Sequence, residues 1–243
     1  MKLLTRIYAA AALVAAALVV GQGCATLQPP IAFESETPPA DSSVRIRVLE
    51  GRPDGLLLEL QLDDETTEAG TTLQLLRADG RSEAQVYREI ELDAPLRDAL
   101  SIDGVEFLDR NVSPGLVTRY QLKLLDRDGE ALDYSTLVRV KWQQPPQRPE
   151  GLRGRVHTAN TVELRWASPQ NHGAVIFRRN VLQEGSTPRR VAQVAPDSAG
   201  VFVDDDVETG VVYAYRVSLA VPRGAFVQLG PPSEPVYVDV PGR

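Results

Sequence analysis

Cysteine is almost absent: Cys24 is the one thiol in 243 residues. A lone cysteine closes no disulfide within the chain. His157 and His172 are the only histidines, and two histidines without a usable cysteine make a poor zinc set, since such a site needs three or four well-placed ligands. Positive charge is in deficit as well: 26 Lys and Arg stand against 33 Asp and Glu, a formal charge of -7. That is the wrong sign for sequence-independent nucleic-acid binding, which needs clustered cations to displace counterions, and for adsorption to anionic lipid. A Gly-x-Ser-x-Gly elbow and a phosphate-cradling glycine loop are both missing. Asp204-Asp205-Asp206 offers oxygen ligands of the kind calcium takes, but successive residues of a strand point to opposite faces, which scatters such a run. Carboxylates are plentiful, yet a small sandwich has little concave surface for a glycosidase pair. No catalytic residue, metal or cofactor is expected.

What is present begins at the N-terminus. Lys2 and Arg6 are the only charges in residues 1–23, and residues 7–20 are an uncharged run of Ala, Leu and Val with a single Ile and a single Tyr. A positive start, an apolar middle and small residues after it have the layout of a secretory signal peptide. The apolar run is shorter than the roughly 20 residues that cross a hydrocarbon core of ~30 Å, so a permanent transmembrane helix is the lesser reading. Gly21-Gln22-Gly23-Cys24 follows and resembles the lipobox of bacterial lipoproteins, with Gly21 standing where a large aliphatic residue is usual. The resemblance implies that Cys24 is acylated and becomes the new N-terminus; ordinary signal-peptidase cleavage, which would leave a free thiol, is the alternative. Several acyl chains are what stable anchoring needs. Ala25 follows the cysteine, without the Asp that resembles an inner-membrane retention signal, which favours the outer membrane. Residues 24–40 then carry two Pro-Pro pairs and no apolar period, so they read as a tether; at about 3.1 Å per residue such a chain reaches up to ~50 Å. Docking of residues 31–33 as a first strand is the alternative.

The rest of the chain repeats itself. FLDRNVSPGLVTRYQLKLL, from residue 107, aligns without gaps to FVDDDVETGVVYAYRVSLA, from residue 202, at an offset of 95. Phe107 matches Phe202, Asp109 matches Asp204, Val112 matches Val207, Tyr120 matches Tyr215 and Leu124 matches Leu219. Shared positions that are aromatic, aliphatic or turn-forming describe a structural unit, and a period near 95 residues is the size of one small sandwich. Strand signals recur in both copies. They fall at 44–49, 56–62, 73–77, 120–125 and 136–142 in the first, and at 162–166, 175–179, 190–194, 212–221 and 236–240 in the second. Asp79-Gly80 marks a hairpin, and residues 93–101 are the one candidate for a short helix.

The second copy resembles a fibronectin type III domain. PQRP at 146–149 leads to Leu152, VELRW places Trp166 where the family has its core tryptophan, Val207, Gly210 and Tyr213 fall in the family's leucine, glycine, tyrosine arrangement, and GPPSEPVYVDVP closes the domain. The resemblance implies a tyrosine corner at Tyr213, its hydroxyl bonded back to the backbone near the turn. The first copy matches more loosely: Thr118 stands at the corner position, so either Tyr120 takes over part of that packing or the turn is built differently.

The expected architecture is all-β: two tandem immunoglobulin-like sandwiches, residues 41–143 and 144–243, after a signal peptide and tether. Trp166, Tyr213, Tyr215 and Tyr120 are expected in the cores. In the second domain the loop 222–226 carries Arg223 and Phe226 beside small residues, a composition that suits an interaction tip; packing of Phe226 back onto its own sandwich is the other reading. The expected role is a membrane-anchored, non-catalytic spacer or protein-binding module of the bacterial cell envelope, held by lipid on Cys24 and meeting an envelope protein. The alternative is a carbohydrate-binding or enzyme-associated module, which would require a row of exposed aromatics.

Overall fold

Apolar residues alternate along the first strand, while the second opens on Leu56-Leu57-Leu58 and then alternates, and this difference places the second strand deeper. β1 (Val44–Arg52) buries Val44 and Ile46 and exposes Arg45 and Arg47, whereas β2 (Gly55–Leu62) is buried at nearly every position. The chain was analysed as a computed structural model, which describes residues 42–63, 70–169, 171–196 and 200–242. Cys24, the apolar run before it and the tether lie outside the described residues.

Two sets of strands follow in order. The first comprises β1, β2, β3 (Thr72–Asp79), β4 (Gln85–Glu91), β5 (Val105–Asp109), β6 (Val117–Leu125), β7 (Ala131–Tyr134) and β8 (Val138–Lys141). The second comprises β9 (Arg153–Thr158), β10 (Thr161–Arg165), β11 (Gly173–Asn180), β12 (Arg189–Val194), β13 (Val201–Asp204), β14 (Val211–Arg223), β15 (Phe226–Leu229) and β16 (Val236–Val240). Within the first set, β1-β2-β5 form one sheet and β4-β3-β6 another, with β7 and β8 both pairing β6. The second set repeats this scheme: β9-β10-β13 on one side and β12-β11-β14 on the other, with β15 and β16 both pairing β14. Each set is a three-stranded sheet facing a larger one across its own core, the fibronectin type III-like sandwich that the resemblance implied.

The last strand of each sandwich is split by the same device. Ser135 donates its N–H to Leu122 O (2.9 Å) and its hydroxyl accepts the Leu122 N–H (2.9 Å). Ser233 makes the same pair of bonds with Val217, at 2.8 and 3.1 Å. A side chain thus takes a ladder position, and the strand expected at 136–142 starts only at Val138. The helix expected at 93–101 is α1 (Ala94–Ile102), capped by the Asp93 carboxylate, which accepts from Leu96 N–H at 3.0 Å, with a proline in the first turn where its missing N–H costs nothing. It is inserted between β4 and β5; the matching connection of the second sandwich, β12 to β13, shows no helix among the described residues.

Candidate binding site at the domain seam

Each sandwich holds an arginine inside its core. In the second, Arg178 comes from β11, Asp204 ends β13 and Tyr215 comes from β14, and all three are buried. Arg178 Nη1 donates to both Asp204 oxygens at 3.0 and 2.8 Å, and the Tyr215 hydroxyl donates to Asp204 Oδ2 at 2.9 Å. In the first sandwich Arg77 Nε forms an ion pair with Asp109 Oδ2 at 3.0 Å, and the Tyr120 hydroxyl donates a hydrogen bond to that oxygen. The Asp109 Oδ1 accepts from the Tyr87 hydroxyl at 2.7 Å and from Asn111 N–H at 2.8 Å. A buried charge is tolerable only when paired and hydrogen-bonded, so these are mutual neutralisations. Burial works against the Arg178 charge, but Asp206 and Asp204 outweigh it and hold its pKa above the ordinary value. The hydrogen bond from Arg178, and then its charge, hold Asp206 below the usual carboxylate range.

These contacts settle several residues singled out in the sequence. Asp204 and Asp206 both face arginine, Asp206 also accepting from Arg189 at 3.3 Å, so two carboxylates of the acidic run are bound by guanidinium groups. Trp166 is buried in the second core with Tyr213 and Tyr215, and Tyr120 is buried in the first. Tyr213 Oη accepts the Glu208 N–H at 3.1 Å, and its ring covers Arg178 at 5.0 Å. In the first sandwich Thr118 donates instead to Asp79 at 2.9 Å, and the ring over Arg77, at 4.9 Å, is that of Tyr87 on β4. The turn is therefore built differently, and Tyr120 plays the part of Tyr215. Tyr237 is the exposed aromatic among the described large hydrophobics; one ring makes no row.

The hairpin β14–β15 carries the residues that matter outside the cores. Its tip was expected either to expose Phe226 or to fold it onto its own sandwich, and it does neither. Phe226 is buried as a member of the first sandwich's core cluster, because β15 leaves its own domain and pairs with β1 in parallel, Glu50 opposite Val227 and Gly51 opposite Gln228. One eight-stranded sheet therefore crosses from the second sandwich into the first. Gln228 is fully buried there and accepts the Gln143 N–H at 3.3 Å. Arg190 Nη1 stands 3.7 Å from Glu50 Oε2. Val175, Ala220 and Leu229 form a third cluster with Phe177 and Val227; on β11 they alternate with Ala174 and Ile176 of the second core, so they lie on the opposite face, toward the seam. Gly230 is seated against the linker: a Cβ there would come 2.5 Å from Pro146 O.

Between the seam and the first sandwich lies an open groove of about 840 Å³. Its walls are β1 from Ile46 to Leu49 and β8, and residues 222–226 close one end. Arg47, Arg139, Lys141 and Arg223 line it, and none of the described lining residues is acidic.

The fold and seam define a class: two tandem fibronectin type III-like sandwiches joined through one sheet. No known protein family's model matches the chain. Among solved structures it is similar to the chicken CNTN1 FN1–FN3 domains, with a TM-score of 0.46 and 17% identity, covering 84% of this chain and 69% of that one.

Proposed function

We propose that this chain is a non-catalytic, rigid spacer and protein-binding module of the bacterial cell envelope, exported by its N-terminal segment and held at a membrane by acylated Cys24. The observation that carries the rigid module is the seam. A flexible tandem would join its sandwiches by a linker alone, whereas here β1 pairs with β15 and Phe226 is buried in the neighbouring core. Anchoring is supported by the placement of the lone cysteine behind an apolar run and before a Pro-rich stretch. A lipid at one end of a tether and a stiff pair of domains at the other would set a binding surface at a fixed height over the bilayer.

Two measurements test this. Substituting Cys24→Ser should abolish incorporation of an alkyne-tagged fatty acid and move the chain from the membrane to the soluble fraction; unchanged labelling sinks the anchor. Spin labels at Arg81 and Glu184, both exposed, introduced as cysteines into the Cys24→Ser chain, should give one narrow inter-label distance. A broad distribution would remove the rigid spacer.

A further inference from the structure

We infer that the groove at the seam takes an extended acidic segment of a partner protein, added as a strand to the open edge of β1. This rests on the binding-module reading and names the chemistry of its partner. The first support is the backbone. β1 bonds to β2 along its length on one side, while on the other side, among the described residues, its strand pairing, with β15, covers only Glu50 and Gly51. An edge that already accepts a strand at one end is geometrically able to accept one along the rest, and main-chain bonds of this kind are how extended peptides add to sheets. Leu49 is the extra residue of a bulge, skipped between the Val48 and Glu50 pairings with β2, and it lines the groove. Bulges of this kind re-aim side chains at edges and sites.

The second support is charge. The chain as a whole carries -7, yet this groove is lined by four cationic side chains. Arg47 is paired with Glu59. Arg139 stands directly across from Arg119 in the β6–β8 ladder, which gathers positive charge on this wall. Lys141 lies two residues further along β8, and the Arg223 Nε is buried with no hydrogen-bond partner. Cations gathered here, in a chain that is acidic as a whole, suit an anionic occupant. They also repel a second copy of the same edge, so they select an acidic strand over self-association.

The test uses the full chain and a fluorescent peptide of alternating Glu and Val, read by anisotropy. Binding should weaken at least about tenfold in the double variant Arg139→Glu/Lys141→Glu and in Arg223→Glu, and should weaken as salt screens the charges. Arg153→Glu, an exposed substitution on the other sandwich, should leave it unchanged. A peptide with alternate backbone amides N-methylated should lose affinity, because strand addition needs those donors. No binding, equal binding by the charge-reversed variants, or equal binding of the methylated peptide overturns the inference. So does binding of anionic phosphatidylglycerol vesicles with no binding of the peptide, which would assign the groove to lipid. None of these failures touches acylation of Cys24 or the inter-label distance, which are read separately.

Discussion

Gly51 leaves room for Phe226: a Cβ built on Gly51 would stand 3.1 Å from Cε2 of that ring and 3.1 Å from Cδ of Gln228. One residue belongs to the first strand of one sandwich and the other to a hairpin of the next. The seam is thus a packing problem solved by a small residue on one side and a large one on the other, as in an ordinary core.

Phe226→Ala should therefore destabilise a domain to which the residue does not belong. Phe to Ala in a core costs about 3–5 kcal/mol. The expected result is loss of the first sandwich's stability by about that amount, with the second largely retained. Unfolding that is a single transition in the parent should split in two. Calorimetry and urea unfolding check this, and equal loss in both domains would count against the seam.

Gly51→Ala tests the same contact from the other side. The Cβ would be tighter than ordinary contact, and Phe226 must yield by a few tenths of an ångström. A loss of about 1–3 kcal/mol is expected from overpacking. In the double variant Gly51→Ala/Phe226→Ala the Gly51 effect should largely vanish, because the ring it presses on is gone; additive losses would show that the two do not touch.

The sandwich scheme was legible in the sequence because its signals are local: alternation in 44–49, an apolar run in 56–62, a turn at Asp79-Gly80 and a repeat that aligns Asp109 with Asp204 and Tyr120 with Tyr215. What escaped was non-local. Arg77 and Arg178 read as ordinary charged strand residues, and the ungapped offset could not match them, since α1 lengthens the stretch between Arg77 and Asp109 relative to its counterpart. An arginine on the inward face of a strand, in a chain whose Asp and Tyr already repeat, was the available signal. Phe226 was read as an exposed tip or as packing on its own sandwich, but its destination depends on β15 reaching β1, which no periodicity encodes. β4 was missed because it is mostly exposed and its two core-packed residues, Tyr87 and Ile90, stand three apart, so no period of two shows.

Asp204→Asn should be among the most damaging single changes in the second sandwich. It removes the carboxylate that neutralises Arg178 and accepts the Tyr215 hydroxyl. Breaking a buried pair by removing one partner costs about 3–5 kcal/mol; here Asp206 still holds the guanidinium, so the lower end is expected. Urea unfolding followed by Trp166 fluorescence measures it, and a change below about 1 kcal/mol would mean that the pair is not buried in solution.

Tyr213→Phe isolates the corner. The ring stays over Arg178, while the acceptor for the Glu208 N–H is lost. A loss of about 1 kcal/mol is expected, seen as a lower Tm of the second sandwich alone. Thr118→Val in the first sandwich removes a different bond, to Asp79, and should leave the second domain's Tm untouched.

The two buried tyrosines predict alkaline sensitivity. Burial, and then bonding to Asp109 or the charge of Asp204, push the Tyr120 and Tyr215 hydroxyls far above their ordinary pKa of 10.0. The unfolded chain gives up these protons near pH 10 while the folded chain keeps them. Above that pH the folded state therefore binds more protons, and stability falls as pH rises, by roughly 1.4 kcal/mol per pH unit for each tyrosine. Below pH 10 neither contributes a slope. Tyr215→Phe should flatten the alkaline decline of the second sandwich, although it lowers stability at neutral pH by removing a donor to Asp204. Denaturation curves between pH 8 and 12 follow both effects, and an alkaline slope unchanged by Tyr215→Phe and Tyr120→Phe together would show that these hydroxyls already ionise within the fold.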